Sequence, residues 1–121
     1  MQGESVGATI LGCSGAVLLP DEARFFADAQ PWGFILFRRN VVNAAQLRAL
    51  CADLRGAVGR DAPVFMDQEG GTVQRLRPPL ARDWPDASAQ RGGARAVWLR
   101  HRLMAAELRA VGVDGSCAPV I

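Results

Sequence analysis

A chain of 121 residues, 50% apolar and 21% charged, is long enough for one domain with its own core and has the composition of a globular protein rather than a low-complexity one. Its formal charge of +2 rests on 14 basic residues against 12 acidic ones. Every basic residue is an arginine and none are bunched into a stripe, so nucleic acid is not an expected partner.

The chain opens "MQGESVGATILG", without the basic start and long apolar run of a signal peptide. No stretch approaches the roughly 18 apolar residues of a membrane span. Neither a membrane nor export is therefore expected, and the reading is cytoplasmic. "ATILG", residues 8 to 12, predicts a short buried strand. "LPDEARFFADAQ" predicts a helix with Pro20 and two acids in its first turn and Phe25, Phe26 and Ala29 on its inner side. Pro31 stops that helix, and Gly33 opens "GFILF", a second buried strand. Asn43 and Gln46 form a capping-box pattern ahead of a helix. Leu47, Leu50, Cys51, Leu54 and Val58 give that helix one apolar stripe, and Gly59 ends it.

Pro63 starts a third strand, "VFMD". Residues 77 to 93 read as a long irregular loop. A helix from about 94 to 111 carries a less tidy stripe of Val97, Leu103, Met104, Leu108 and Val111, closed by Gly112. "CAPVI", residues 117 to 121, predicts a fourth strand, and the sequence stops inside it. Strands apolar on both faces, alternating with amphipathic helices, imply an α/β fold with a parallel sheet. Two architectures fit: an open doubly wound sheet, or the first half of a (β/α)8 barrel, whose full length is about 250 residues.

Several chemistries lack support. Cys13, Cys51 and Cys117 have no CxxC spacing and read as three small apolar residues in a reducing compartment. Neither GxGxxG nor GxxxxGK[ST] occurs, and no cofactor or metal is expected. "GCSGAVLLPDE" offers Gly12 and Gly15 after the first strand, a weak basis for a flavodoxin-like phosphate site. His101 lies between two arginines in mid-helix and reads as part of a solvated face. Trp32, Trp84 and Trp98 read as packing, with Trp84, in the long loop, the best placed to stack on a sugar.

The informative stretch is "VFMDQEGGTVQRL", residues 64 to 76. In parallel α/β folds, ligands gather at the carboxyl ends of the strands, where these charges fall. An ionised Asp67 has only acceptor capacity and suits neighbouring hydroxyls such as those of a sugar ring. Gly70 and Gly71 permit positive φ and close backbone approach to a ligand, and Arg75 could return over the same mouth. The plain alternative is a turn in which Asp67 and Glu69 satisfy backbone donors and pair with arginines. A catalytic pair made of Asp67 and Glu69 is disfavoured, because adjacent strand positions approach a scissile bond from one side only.

"GFILFRRNVVNAAQLRALCADLR", "DQEGG-x-V-x-R", "WPDA" in the loop and the closing "APVI" occur in an order that resembles the family 3 glycoside hydrolases, in their bacterial β-N-acetylhexosaminidase branch. The resemblance implies that residues 1–121 are the N-terminal portion, about four strands, of an incomplete (β/α)8 TIM barrel, cut after the fourth strand. It implies hydrolysis, with retention, of terminal non-reducing β-linked N-acetylglucosamine, the substrate being an N-acetylglucosamine-containing muropeptide from the cell wall. Asp67 and Arg75 take the sugar-binding positions. Arg39, Asn40, Glu69, Gly70 and Gly71 have at most a supporting role. Thr72 stands where many members carry a basic residue. The nucleophile and the acid/base pair of the family have no counterpart here and are expected beyond Ile121, so the chain alone should be inactive. The competing reading is a non-catalytic half-barrel that only binds sugar.

Overall fold

The computed structural model describes residues 5–119. Four parallel strands form its sheet: β1 (Gly7–Leu11), β2 (Pro31–Leu36), β3 (Val64–Met66) and β6 (Gly115–Ser116), paired in the order β1-β2-β3-β6. A short antiparallel hairpin of β4 (Gln68–Gly70) and β5 (Val73–Gln74) follows β3 directly. Helices α1 (Pro20–Ala29) and α2 (Ala44–Val58) connect the first three strands, and α3 (Gly93–Ala110) leads into β6. Each parallel strand lies beside the one before it, with no reversal of order. A doubly wound sheet needs a reversal at its switch point, so the winding is that of a barrel. Among the described residues the sheet is open, with β1 and β6 as its edges.

Local sequence dictates most of the helical layer. Asn43 Oδ1 accepts from the Gln46 amide at 2.8 Å while Gln46 Oε1 accepts from the Asn43 amide at 3.4 Å and from the Val42 amide at 2.9 Å, so the expected cap forms. All five stripe residues of α2 are buried. They meet Phe34, Leu36, Val64 and Met66, which β2 and β3 present to the same side. Gly59 ends α2 with φ 69°, a left-handed turn that suits glycine. Each fully buried leucine in this layer is stabilising by about 1.5–3 kcal/mol.

Several expectations change. On α1 only Phe26 is buried; Phe25 stays largely exposed, set edge-on against Phe26 with centroids 5.7 Å apart. Among the described residues helices cover the strands on one face, as in a barrel. On the other face Ile10 and Trp32 are exposed, Trp32 stacking on Phe65 at 5.8 Å. On α3, Met104 and Leu108 face inward with Arg100, whereas Val97 and Leu103 remain partly exposed. The fourth strand is Gly115–Ser116 rather than residues 117 to 121. Its pairing with β3 begins at the Asp114 amide, 2.8 Å from the Val64 carbonyl, and passes at Ser116 to side-chain bonds with Gln68. Val120 and Ile121 lie outside the described residues. No helix among the described residues is long and apolar enough to cross a membrane.

Leu54→Ala, at a position with no exposed surface, should lower the unfolding free energy by about 2–5 kcal/mol, measured by denaturant titration.

Candidate functional site

Because the sheet is parallel, β1, β2, β3 and β6 all end on one side, and the segments that leave them there hold most of the polar side chains singled out by the sequence. Asp67 is the residue between β3 and β4. Its side chain is 24% exposed, and Oδ2 lies 3.3 Å from Nη2 of Arg75, itself 26% exposed. Interaction with the same carboxylate, then burial and the charges of Asp67 and Glu69, raise the pKa of the Cys117 thiol just past β6. Cys117 is therefore an exposed thiol at the mouth, whereas Cys13 and Cys51 are buried as expected. Burial pushes Cys51 up to about 11.

Gln68 fixes the distance between Asp67 and Arg75. Its Oε1 accepts from the amides of Arg75 at 2.9 Å and Leu76 at 3.0 Å, and its Nε2 donates to the Leu76 carbonyl at 3.0 Å. The returning strand is thus bonded to a buried side chain where a regular ladder would have used backbone. Gln74 does the same one step outward, donating to the carbonyls of Leu76 and Arg82 and accepting from the Trp84 amide at 3.1 Å. Sequence reasoning assigned neither glutamine a role. The signal that could have found them is a polar side chain at alternate positions of an otherwise buried run, which must be satisfied internally.

Gly70 and Gly71 take φ values of 107° and 61°, as expected for this pair. The close approach they permit is made by the protein's own loop. A Cβ at Gly70 would collide with the Arg100 guanidinium and the Pro85 carbonyl, and one at Gly71 would stand 2.9 Å from Asp86 Oδ2. Glu69 contributes its backbone: its carbonyl accepts from Arg100 Nη2 at 2.6 Å, as does the carbonyl of Pro85. Arg100 is only 4% exposed, so this buried cation on α3 clamps the hairpin to the 84–90 loop. The arginine gave no sign of this in the helix pattern, where it read as part of a charged face.

Arg39 and Asn40 tie β2 to β1. Asn40 is fully buried; its Nδ2 donates to the carbonyls of Cys13 and Gly15, and its Oδ1 accepts from the Phe37 amide at 2.8 Å. Arg39 donates through Nε and Nη2 to the Cys13 carbonyl, both at 3.2 Å, and stacks over Phe37. Trp84 is held by its indole N–H to Glu107 at 2.9 Å, and His101 by Nδ1 to the Val97 carbonyl at 2.9 Å. No cluster of three or more metal-ligating side chains occurs among the described residues.

This is part of a (β/α)8 barrel with its polar groups collected at the strand ends, the arrangement of a barrel enzyme's active-site face. No family model matches the chain. It is 36% identical over 121 residues to a β-hexosaminidase of Pseudomonas aeruginosa, covering 95% of this chain and 35% of that protein. To a β-hexosaminidase of Methylococcus capsulatus it is 42% identical, covering 88% and 33%. Among solved structures, NagZ from Neisseria gonorrhoeae superposes with a TM-score of 0.78 at 29% identity, over 94% of this chain and 37% of that one. A glycoside hydrolase family 3 β-N-acetylglucosaminidase from Paenibacillus gives 0.78 at 27%, over 92% and 22%. In sequence and in fold the chain is similar to the β-N-acetylhexosaminidases of glycoside hydrolase family 3. It spans about a third of the length of the curated relatives it matches.

Two outcomes check this geometry. Gln68→Ala should cost about 1–3 kcal/mol for each amide left buried without an acceptor, with faster hydrogen exchange at Arg75 and Leu76 than at the α2 amides. Asp67→Asn should speed alkylation of Cys117 near pH 8, because it removes the carboxylate charge that holds the thiol protonated. Mass spectrometry reads the rate.

Proposed function

We propose that the protein carrying this chain is a retaining β-N-acetylhexosaminidase, and that residues 1–121 are the N-terminal section of its catalytic domain. Its substrate is terminal non-reducing β-linked N-acetylglucosamine on peptidoglycan-derived muropeptides recycled in the cytoplasm. Asp67 and Arg75 grip the sugar. The observation that carries the reading is the Asp67 carboxylate: it stands at a strand carboxyl end, meets Arg75 through a single 3.3 Å contact, and keeps lone pairs for two ring hydroxyls. The 24% exposure of that side chain leaves it open to solvent on the mouth side. Arg75, held by the same contact, adds a charged donor for the sugar's oxygens.

Among the related solved proteins, NagZ from Neisseria gonorrhoeae has been determined in complex with N-trifluoroacetyl-D-glucosamine, which supports an N-acylated glucosamine as the ligand class. Arg39, Asn40, Glu69, Gly70 and Gly71 serve the site indirectly, by holding its backbone. The nucleophile and the acid/base pair belong to parts of the protein outside this chain, so this section contributes binding and orientation. Binding alone yields little rate without groups that stabilise the transition state.

On the full-length protein and a chromogenic β-N-acetylglucosaminide, Asp67→Ala should lower kcat/KM by about 10²–10⁴-fold. This corresponds to two charge-assisted hydrogen bonds at about 1.5–3 kcal/mol each. The 121-residue chain should show no turnover. A loss of less than about threefold in Asp67→Ala, with the protein folded, would overturn the assignment.

A further inference from the structure

Arg100 on α3 is a buried cation without a carboxylate partner. It is 4% exposed, and no acid among the described residues lies within ion-pair reach of it. Neutral oxygens answer the guanidinium instead. Nη2 donates to the carbonyls of Glu69 and Pro85, both at 2.6 Å, and Nη1 to the side-chain oxygen of Gln90 at 3.1 Å. The Trp84 ring lies against it at 5.9 Å. Taking a charge out of water is costly, and a well-packed apolar residue of similar volume often serves stability as well. Core packing alone therefore does not call for an arginine at this position.

The place of its acceptors does. Gln68 sets the spacing between Asp67 and Arg75, but that clip lies within the hairpin and cannot fix where the hairpin stands over the sheet. Contacts from β6 and α3 do so. Ser116 Oγ accepts from the Gln68 amide at 3.2 Å and donates to the Gln68 carbonyl at 2.9 Å. Arg100 then takes the carbonyl of the next residue, Glu69, two positions after Asp67. Gly70 completes the seat, since a Cβ there would collide with the guanidinium. The hairpin itself has only the short strands β4 and β5, and such a hairpin is marginal in water. Its orientation therefore depends on these outside bonds.

We propose that Arg100 is a positioning residue for sugar binding: through the Glu69 carbonyl it keeps the hairpin seated, so that Asp67 and Arg75 meet the ligand in one orientation. The proposal rests on the sugar reading of Asp67 and Arg75. Arg100 acts only through the hairpin and the 84–90 loop that it joins. A hairpin released from this bond spends time in orientations that do not bind. The apparent affinity then falls by the fraction of molecules still seated. The planar guanidinium reaches Glu69, Pro85 and Gln90 at once, whereas a lysine ammonium is a point charge on a flexible stem and lacks the fixed fork.

Calorimetric titration of the full-length protein with N-acetylglucosamine separates this role from a purely structural one. A variant that merely folds less well binds fewer equivalents of sugar at unchanged Kd. Arg100→Met should instead keep the stoichiometry and weaken Kd about tenfold, as when a tenth of the molecules are seated at any moment. Arg100→Lys should recover part of the loss, to about threefold. Gln90→Ala, which leaves the cation in place, should weaken Kd about twofold. In an Asp67→Ala background, Arg100→Met should change kcat/KM by less than about twofold, because both residues act through one grip. Unchanged Kd in Arg100→Met, a fall in stoichiometry alone, or full additivity with Asp67→Ala would overturn the proposal and leave the Asp67 reading standing. If Arg100→Met does not fold, unchanged Kd in both Arg100→Lys and Gln90→Ala has the same force. Failure of the wild type to bind the sugar would overturn the sugar reading itself, and this proposal with it.

Discussion

The chain reverses direction within a few residues of the end of β3, and the reversal is held by one buried amide side chain. Gln68 receives the amides of Arg75 and Leu76 and returns a bond to the Leu76 carbonyl. Backbone groups in a region without solvent must be paired, and here no neighbouring strand is available to pair them. A glutamine offers an acceptor and two donors on one rigid plane, so a single side chain completes the reversal. Asp67 and Arg75 flank that plane, one immediately before the glutamine and one at the first amide it accepts. Their 3.3 Å separation is a consequence of the clip.

The clip needs a cover, because a two-stranded hairpin is marginal in water by itself. The cover is the 84–90 loop, drawn down onto Gly70 and Gly71 by Arg100 from α3 and by the Gly71 amide, which donates to the Trp84 carbonyl at 2.8 Å. Leaving out both Cβ atoms allows the loop backbone to pack where a side chain would otherwise stand. A buried guanidinium satisfied by carbonyl oxygens holds three segments together that share no ladder. The polar residues of the mouth are therefore supported from below by other polar residues. The apolar core lies on the helix side of the sheet and reaches the mouth through Leu76, whose amide and carbonyl are bonded by Gln68.

Much of the scaffold was legible in the sequence. The α2 cap, its five-residue stripe and its closing glycine were all readable because each is set by residues within a few positions of one another. The order of the parallel strands and the helices was readable for the same reason, whereas the β4–β5 hairpin was not. The doubly wound alternative fell only when the strands were seen to lie in unbroken succession. The inner face of α1 was overdrawn, since Phe25 and Phe26 are equally apolar and only packing decides which is buried. The fourth strand was placed two residues late because its pairing is handed to the Ser116 side chain, an exchange that a hydrophobicity pattern does not register.

At the strand ends the balance differs. The sequence by itself determined that a carboxylate, two glycines and an arginine would follow β3, and that the chain resembled a sugar hydrolase. Only the tertiary structure decided that the glycines receive the protein's own loop, that Arg100 is a buried clamp, and that Cys117 sits against Asp67. Caps and stripes arise from interactions between residues a turn or two apart, so a short window contains their cause. The contacts of the mouth join residues tens of positions apart, and they form only once burial of the α2 face has fixed which strand ends lie side by side.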